Sequence, residues 1–525
     1  MADVHREIER KYATGPDVEL PALTELLAGS PGLPDGGTPV AASDDAVELV
    51  ATYFDTADLR LAAAGLTLRR RTGGADAGWH LKVPAGADER SEVRLPPGRA
   101  VRTVPAPLRA LVHAATLGST LRPVAEVRTS RAVHRLVDAT GRVLLELVDD
   151  RVTARRVRPS GSTGDVVGAP EEWREVEVEL VEGAADLLDA VEERLGALGL
   201  RPAAERSKLD RVLGPADERA PERPRLTTRS PAGEVVVGYV SDQLDRLREQ
   251  DLRVRLGAPG GVHQMRVAAR RVRTALRTFG RLFEPGTVRP LRDELGWLAD
   301  VLGRARDAEV LRERVRSAVE GPGVEEAVGA GTHAAAVAAD AELGRAAQDA
   351  LDALLAVLDG DRYRRLLRDL AVFVAEPRYS DEGRRRARRV LPGEVARRDR
   401  KVRRRLRRAR RVPEGRRRDD ALHGARKAAK AARYAGESVA GVLGADAARY
   451  ARRMEDLQEV LGEHHDSVVA RARLRELARH APSTEVAFLY GRLHAVEEAR
   501  GRETERAAGA VARAAGKKKL RRWLG

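Results

Sequence analysis

The sequence predicts an α+β multidomain chain: an antiparallel sheet or barrel first, then an all-α domain of two repeated helical bundles. Three observations predict this. Residues 1–213 hold short segments in which charged and apolar side chains alternate with period two, as on a strand. Residues 214–229 are rich in proline and charge and read as a linker. From residue 230 to 525, Ala, Leu, Arg and Glu dominate at helical spacing, and one pattern occurs twice. At 525 residues the chain is also long for a single core.

In chain order, EIERKY, LTLRRR, WHLKV, RSEVRL, RVLLELVD and WREVEVEL are the strand segments, with turns rich in Gly, Pro, Asp and Ser between them. Helical stretches are expected around Leu20–Ala28 and from Ala184 to Leu198. Period two puts Glu7, Glu9 and Lys11 on one strand face. Arg69 and Arg71 repeat the device, as do His80 with Lys82, Arg90 with Glu92 and Arg94, and Glu175 with Glu177 and Glu179. Inside a closed barrel such stripes are expensive unless ions or ligands neutralise them. Carboxylates suit a hard cation, Mg²⁺ or Mn²⁺. Arg grips phosphate oxygens through paired hydrogen bonds, and Lys serves as a point charge.

In the helical half, breaks are expected near Gly257–Gly261, Glu284–Gly286, Gly321–Gly323, Pro392–Gly393 and Pro413–Gly415. The segment from Leu298 to Gly303, followed by Asp307, matches the segment from Leu457 to Gly462, followed by Asp466. Upstream, His263 precedes Asp307 by 307 − 263 = 44 positions, and His423 precedes Asp466 by 466 − 423 = 43. His263, Arg266, Arg270, Arg273 and Arg277 follow steps of three and four, which is one helical stripe. His423, Arg426, Lys430 and Arg433 repeat the first three steps. A cationic stripe at core-like spacing is not a packing seam, and a bound polyanion would relieve its repulsion. The runs Gly383–Arg389 and Lys401–Arg411 could widen that surface, and the C-terminal KKKLRRWLG reads as a flexible tail.

Charge divides the same way. Residues 1–213 hold 28 Lys+Arg and 34 Asp+Glu, a net of −6, so residues 214–525 carry (95 − 28) − (80 − 34) = +21. That asymmetry points to a polyanionic partner. Aromatic content of 3% argues against stacking on nucleic-acid bases, so nucleic acid is not the expected partner. The absence of cysteine excludes disulfides, thiol catalysis and Cys-ligated zinc. No apolar run approaches the roughly 20 residues of a membrane span. The N-terminus has no basic-then-apolar signal pattern, so a cytoplasmic protein is expected.

HREIERKY resembles the ExExK signature of the CYTH domains, the triphosphate tunnel metalloenzymes. YFDT with DLRLAAAGLTLRRR, then WHLKVP, EVRTSR, WREVEVEL and ERSKLDR follow in the family's order, from about residue 3 to about residue 213. The resemblance implies an eight-stranded antiparallel barrel whose tunnel holds a triphosphate. It implies that Glu7 and Glu9 are metal-side glutamates, with Lys11 the catalytic lysine of the same motif. Arg69, Arg71, Lys82, Arg131 and Lys208 then match phosphate-binding positions, with Arg128 as the alternative to Arg131. Glu177 and Glu179 match a second metal pair, extended by Glu175. Asp149 matches the late-strand acid, with adjacent Asp150 the other register. His80 departs from the acidic residue that some members carry there.

HQMRVAARRVR and HGARKAAKAARY are similar to the two histidine-led helices of the CHAD domain, and LGRARDAEV and LGEHHDSVV to its Asp-containing segment. That resemblance, from about Ser230 to the C-terminus, implies polyphosphate binding by His263, Arg266, Arg270, Arg273, Arg277, His423, Arg426, Lys430 and Arg433. Together the two imply Mg²⁺- or Mn²⁺-dependent hydrolysis of inorganic triphosphate or polyphosphate ends. The alternatives are an adenylyl cyclase using the same tunnel and a non-catalytic polyphosphate-binding or polyphosphate-granule-associated protein.

Overall fold

The computed structural model describes residues 3–27, 45–86, 89–98, 102–138, 140–158, 165–214, 225–319, 332–481 and 483–525. It divides into two compact units, Met1–Arg223 and Pro224–Gly525.

The first unit is a closed antiparallel barrel. Its strands are β1 (Asp3–Thr14), β2 (Asp45–Asp55), β3 (Thr67–Thr72), β4 (Gly78–Pro84), β5 (Glu89–Leu95), β6 (Arg122–Val137), β7 (Val143–Arg158) and β8 (Asp165–Leu180). They run in the order β5-β4-β3-β2-β6-β7-β8-β1, and β5 pairs with β1 to close the ring. A two-residue strand, β9 (Arg201–Pro202), adds to β1 outside the eight.

The barrel is built inside out. Tyr12, Leu145, Leu147, Val176 and Val178 point outward, where they pack with Leu187, Val191 and Leu195 of helix α1 (Asp186–Ala197). Phe54 and Trp79 pack at 5.0 Å between ring centres on β2 and β4. The opposite phase of each strand, which carries the charges, therefore faces in. One part of the interior is apolar. Helix α2 (Lys208–Leu213), capped by Ser207 Oγ accepting from the Asp210 N–H at 3.1 Å, adds Leu209 and Leu213 to a cluster with Tyr53, Val127, Val152 and Ala154. That packing carries Lys208 into the barrel. Asp55, the acid of YFDT, accepts from the backbone N–H groups of Thr56, Leu61 and Ala62, so it fixes a turn. The helix expected around Leu20–Ala28 is one turn, Leu23–Leu26, with Ala28 outside the described residues.

The second unit is helical: α3 (Ala232–Arg255), α4 (Gly261–Phe279), α5 (Val288–Val319), α6 (Thr332–Leu358), α7 (Asp361–Ala375), α8 (Ala387–Arg411), α9 (Arg416–Leu443), α10 (Ala445–Arg479) and α11 (Thr484–Ala515). The repeat read from sequence is a repeat of contacts. Arg266 of α4 pairs with Asp307 of α5 at 3.1 Å, and Arg426 of α9 pairs with Asp466 of α10 at 3.5 Å. A Cβ added at Gly303 or Gly462 would lie 4.0 or 3.4 Å from the guanidinium of Arg266 or Arg426, so the same glycine seats the same arginine twice.

Three expectations change here. Pro392 does not break a helix; α8 runs through it. The ring forfeits one bond near the helix start, and buried Val390, Leu391 and Val395 hold the helix on either side. The C-terminal tail is docked. Lys518–Leu524 forms a 3₁₀ segment, Leu524 is buried, Trp523 meets Tyr450 edge-on at 5.9 Å, and Arg521 lies 3.9 Å from Asp399. Thr228, read as linker, accepts from the Arg388 N–H at 3.2 Å within this unit. Residues 215–224 and the break at Gly321–Gly323 lie outside the described residues.

Candidate functional site

Register brings the charged stripes together inside the barrel. Lys11 lies opposite Glu177 and Glu9 opposite Glu179 across β1 and β8. Glu7 lies opposite Arg90, Lys82 opposite Glu92, and Arg131 opposite Asp150. The side chains then form two groups of ion pairs.

In one group, Lys208 is ion-paired with three buried carboxylates, Asp150 at 2.8 Å, Glu175 at 2.6 Å and Glu177 at 2.9 Å, and donates a hydrogen bond to the last. Arg131 holds Asp150 through two hydrogen bonds of 2.8 and 2.7 Å and reaches Glu177 at 3.1 Å. Lys11 also binds Glu177. Burial alone would push Glu177 up, but Lys11, Lys208 and Arg131 hold it well below the usual carboxylate range. Ligand oxygens of Asp150, Glu175 and Glu177 lie within 4.8 Å of one another, as a metal site requires. The ammonium of Lys208 already takes the place of that cation.

In the other group, Lys82 binds Glu7 at 2.5 Å and Arg94 binds Glu7 at 3.1 Å. Glu9 is only loosely held, with Arg90 at 3.4 Å and Lys11 at 3.5 Å, and its buried Oε1 has no hydrogen-bond partner. Burial raises Glu9, but Lys11, Lys82 and Arg90 bring it down to about 2. Glu179 behaves oppositely. Burial, then Glu7, Glu9 and Glu146, push it up to about 7, and Lys82 offsets this only in part. A site with one carboxylate so raised is short of a positive charge. Glu7, Glu9 and Glu179 act on one another electrostatically and would be relieved by a cation, while among the described residues the carboxylate oxygens close enough together to share an ion are those of Asp150, Glu175 and Glu177.

Arg69 and Arg71 face the same interior. Each has a buried Nε with no acceptor, although Arg71 is paired with Asp76 and Tyr53 and Glu92 favour the charged form of Arg69; burial together with Arg69 and Arg131 presses against the charged form of Arg71. Unspent donors and surplus positive potential are what a phosphate group would satisfy. His80 is buried between Glu92 (Nδ1 at 3.0 Å) and the Asp76 carbonyl (Nε2 at 2.9 Å). Glu92 in turn meets Arg94, Arg69 at 3.8 Å and Lys82 at 3.9 Å, so His80 buttresses the cationic side. A pocket of about 420 Å³ opens at Glu9, Lys11 and Arg90, bordered by Glu192 and Arg206.

Asp149 is the correction. It lies outside, where Arg174 binds it through two hydrogen bonds of 2.8 Å. Asp150 faces in because it is opposite Arg131 and Glu175, and period two then turns Asp149 out. The same parity exposes Arg128, paired with Glu126 at 3.2 Å. Glu92, Asp150 and Glu175 had no place among the primary site residues, although the Arg90-Glu92-Arg94 alternation was a visible signal.

In the helical unit, α4 and α9 face a cavity of about 750 Å³. Its wall includes His263, Arg266, Arg270, Arg426, Lys430 and Arg433, joined by Arg306, Arg314, Arg473 and His465. Burial, then Arg270, Arg426 and Arg266, lower Lys430 to about 6. Burial, then His423 and Arg426, lower His465 to about 3. Arg273, Arg277 and His423 are not on this wall. Arg273 packs over Gly296, and His423 stacks on His465 with ring centres 3.8 Å apart.

The raised Glu179 carries a stability signature in metal-free protein. Between pH 4.5 and about 7 the folded carboxyl keeps a proton that the unfolded chain has lost, so stability should fall as pH rises through that window. Urea midpoints in EDTA should show this decline in the wild type and not in Glu179→Gln. Equal declines in both would refute the assignment.

A CYTH domain matches residues 5–207 and a CHAD domain residues 238–475. Uncharacterized protein Rv2226 of Mycobacterium tuberculosis is 37% identical over 506 residues, covering 94% of this chain and 93% of the relative. Among solved structures, PptA from Streptomyces chartreusis is 20% identical and aligns over 54% of this chain and all 100% of its own, with a TM-score of 0.45. The CHAD domain from the plant Ricinus communis is 26% identical over 56% of this chain and 97% of its own, with a TM-score of 0.44. CYTH domains include triphosphatases and cyclases and act with metal ions. No helix among the described residues is long and apolar enough to cross a membrane. The chain belongs to the family of proteins in which a CYTH tunnel domain is followed by a CHAD helical domain.

Proposed function

We propose that the barrel hydrolyses inorganic triphosphate or the ends of polyphosphate, and that the helical unit binds polyphosphate. The observation that carries the first half is a closed interior that pairs unspent guanidinium donors with an under-neutralised carboxylate group. Arg69, Arg71, Lys82 and Arg131 hold and orient the phosphates. Glu7, Glu9 and Glu179 hold Mg²⁺ or Mn²⁺, which supplies charge neutralisation at phosphate oxygens and a more acidic water. Lys11 keeps Glu177 ionised beside the phosphates and stabilises negative charge on the group that leaves. Lys208 and Arg131 keep the Asp150 cluster neutralised, so the divalent ion is directed to the other group. The test is phosphate release from triphosphate and from long polyphosphate with each divalent ion. No turnover with any ion would refute this half.

Two cationic stripes around one cavity support the second half. Arg270→Glu with Lys430→Glu should weaken long-chain binding at least about tenfold, as loss of several phosphate contacts does. Because Lys430 is lowered to about 6, it is largely neutral at pH 8 without a ligand. A polyanion restores its charge, so binding should take up a proton, and affinity should fall as pH rises above about 6. Calorimetry in buffers of different ionisation heat reads that proton directly, and its absence in wild type would contradict the role given to Lys430.

A further inference from the structure

The cavity of the helical unit is not basic throughout. The repeat that sets Arg266 against Asp307 and Arg426 against Asp466 continues along α5 and α10. Val310 and Leu311 stand three and four residues beyond Asp307, and Val469 and Ala470 stand three and four beyond Asp466. Each copy therefore adds an apolar step one helical turn after its aspartate. Arg314 and Arg473 follow after one more turn. All six line the cavity, with Leu343 and Ala346 of α6. Its wall thus runs from cations, through an apolar band, to a second pair of arginines.

Those far arginines are already engaged. Arg314 binds Glu497 at 2.8 Å and Glu463 at 3.2 Å, and Arg473 binds Glu476 at 2.6 Å. At the near end the buried Arg270 Nε has no hydrogen-bond partner, and Lys430 faces Arg266, Arg270 and Arg426. An anion is drawn to the near end, and whatever it carries behind it meets the apolar band.

A bland explanation is that the band is the rim of a core. That accounts for Leu343, which is buried, and for Leu311, which packs on the cluster of Val315, Leu343 and Leu489. It does not account for Val469, which is 47% exposed, or for Ala346, also exposed. A bare phosphate polymer gains nothing from hydrocarbon, because its oxygens lose water there with no hydrogen bond in return. An aliphatic group gains in proportion to the area it buries. A cavity of about 750 Å³ has room for both parts of one small molecule.

We propose that the cavity also binds an organic phosphate, with its phosphate end at Arg270 and Lys430 and its aliphatic chain along Val310, Leu311, Leu343 and Val469. The phosphate end rests on the reading of the cavity as a phosphate site, and the aliphatic subsite goes beyond it. The ligand is a free molecule, since the band lines a cavity and not an outer face.

The test compares methyl, butyl and octyl diphosphate with inorganic polyphosphate on the full chain, by calorimetry in EDTA so that the tunnel turns nothing over. Affinity should rise at least about a hundredfold from methyl to octyl, since each buried methylene is worth roughly three- to fourfold. Val469→Gln with Ala346→Gln should remove most of that rise and leave polyphosphate affinity unchanged, because both side chains are exposed and no charge is altered. Lys430→Gln should weaken methyl and octyl diphosphate by the same factor. These changes lie in the helical unit alone, so they separate this site from any binding in the tunnel. Equal affinity for methyl and octyl diphosphate, with polyphosphate bound, would overturn the aliphatic subsite and leave the polyphosphate reading intact. An octyl preference that survives Val469→Gln with Ala346→Gln would overturn it as well. A wild-type chain that binds neither octyl diphosphate nor polyphosphate would overturn both readings. Capture of phosphatidate vesicles without binding of free octyl diphosphate would make the face a membrane surface, and the proposal fails.

Discussion

Replacing Glu7 and Glu9 together by glutamine should lower phosphate release from triphosphate by at least about 10³-fold, or about 4 kcal/mol of barrier. Glutamine keeps the shape of each side chain and removes the charge that would hold a divalent ion. Glu9 is held at about 2, so it is ionised across the working pH range and its charge is always available to a cation. The change takes one neighbouring carboxylate charge from each of Lys82, Arg94, Lys11 and Arg90, so the tunnel becomes more positive. Substrate binding should therefore hold or tighten while turnover collapses. Steady-state kinetics should show the loss in kcat with KM level or lower. A kcat within tenfold of wild type would show that these two residues do not hold the catalytic ion.

Lys208→Met should be the most destabilising single change in the barrel. It removes one ammonium from between Asp150, Glu175 and Glu177, all of them buried. Breaking a buried ion pair from one side costs about 3–5 kcal/mol, because charges remain with nothing to balance them. In a unit of this size the melting point of the barrel should drop on the order of 10 °C. The same change makes a second expectation. With the ammonium gone, three carboxylates within 4.8 Å of one another become a divalent-ion site. Added Mn²⁺ should raise the melting point of Lys208→Met far more than that of wild type. Equal metal responses in the two proteins would show that the ammonium does not stand where an ion could.

Much of this was legible in the alternation of the strands. Glu7, Glu9, Lys11, Arg69, Lys82 and Glu177 are on the inner face that period two assigns to them. The choice between Asp149 and Asp150 was legible as well, in a signal that points the unusual way. Leu145 and Leu147 share a face with Asp149, and both are buried in the cluster under α1. In an ordinary barrel the apolar phase lines the inside. Here it is the outer phase, so the acid in step with the leucines is the wrong one. What could not be read locally is which cation meets which carboxylate. Lys208 reaches Glu177 from 31 residues away and from a helix, not a strand. The helical stripe shows the complementary limit. Spacing put Arg273 and Arg277 in line with Arg270, but only packing decides which helix each turn of α4 faces.

The paired contacts of the helical unit carry one more consequence. Arg266 with Asp307 and Gly303, and Arg426 with Asp466 and Gly462, are two copies of one arrangement on opposite sides of the cavity. A nucleic-acid strand has a 5′ and a 3′ sense, so half-sites built alike would read it in two different ways. An unbranched phosphate polymer has identical ends and no sense of direction. Near-duplicate walls can therefore accept such a polymer from either side with the same contacts, which doubles the productive ways of entering. The copies part company about two turns of helix farther along, where Arg273 rests on Gly296 and its counterpart Arg433 stays on the cavity wall, held by Glu455 at 2.5 Å. It is at that end of the cavity that any preference for one entrance would have to arise.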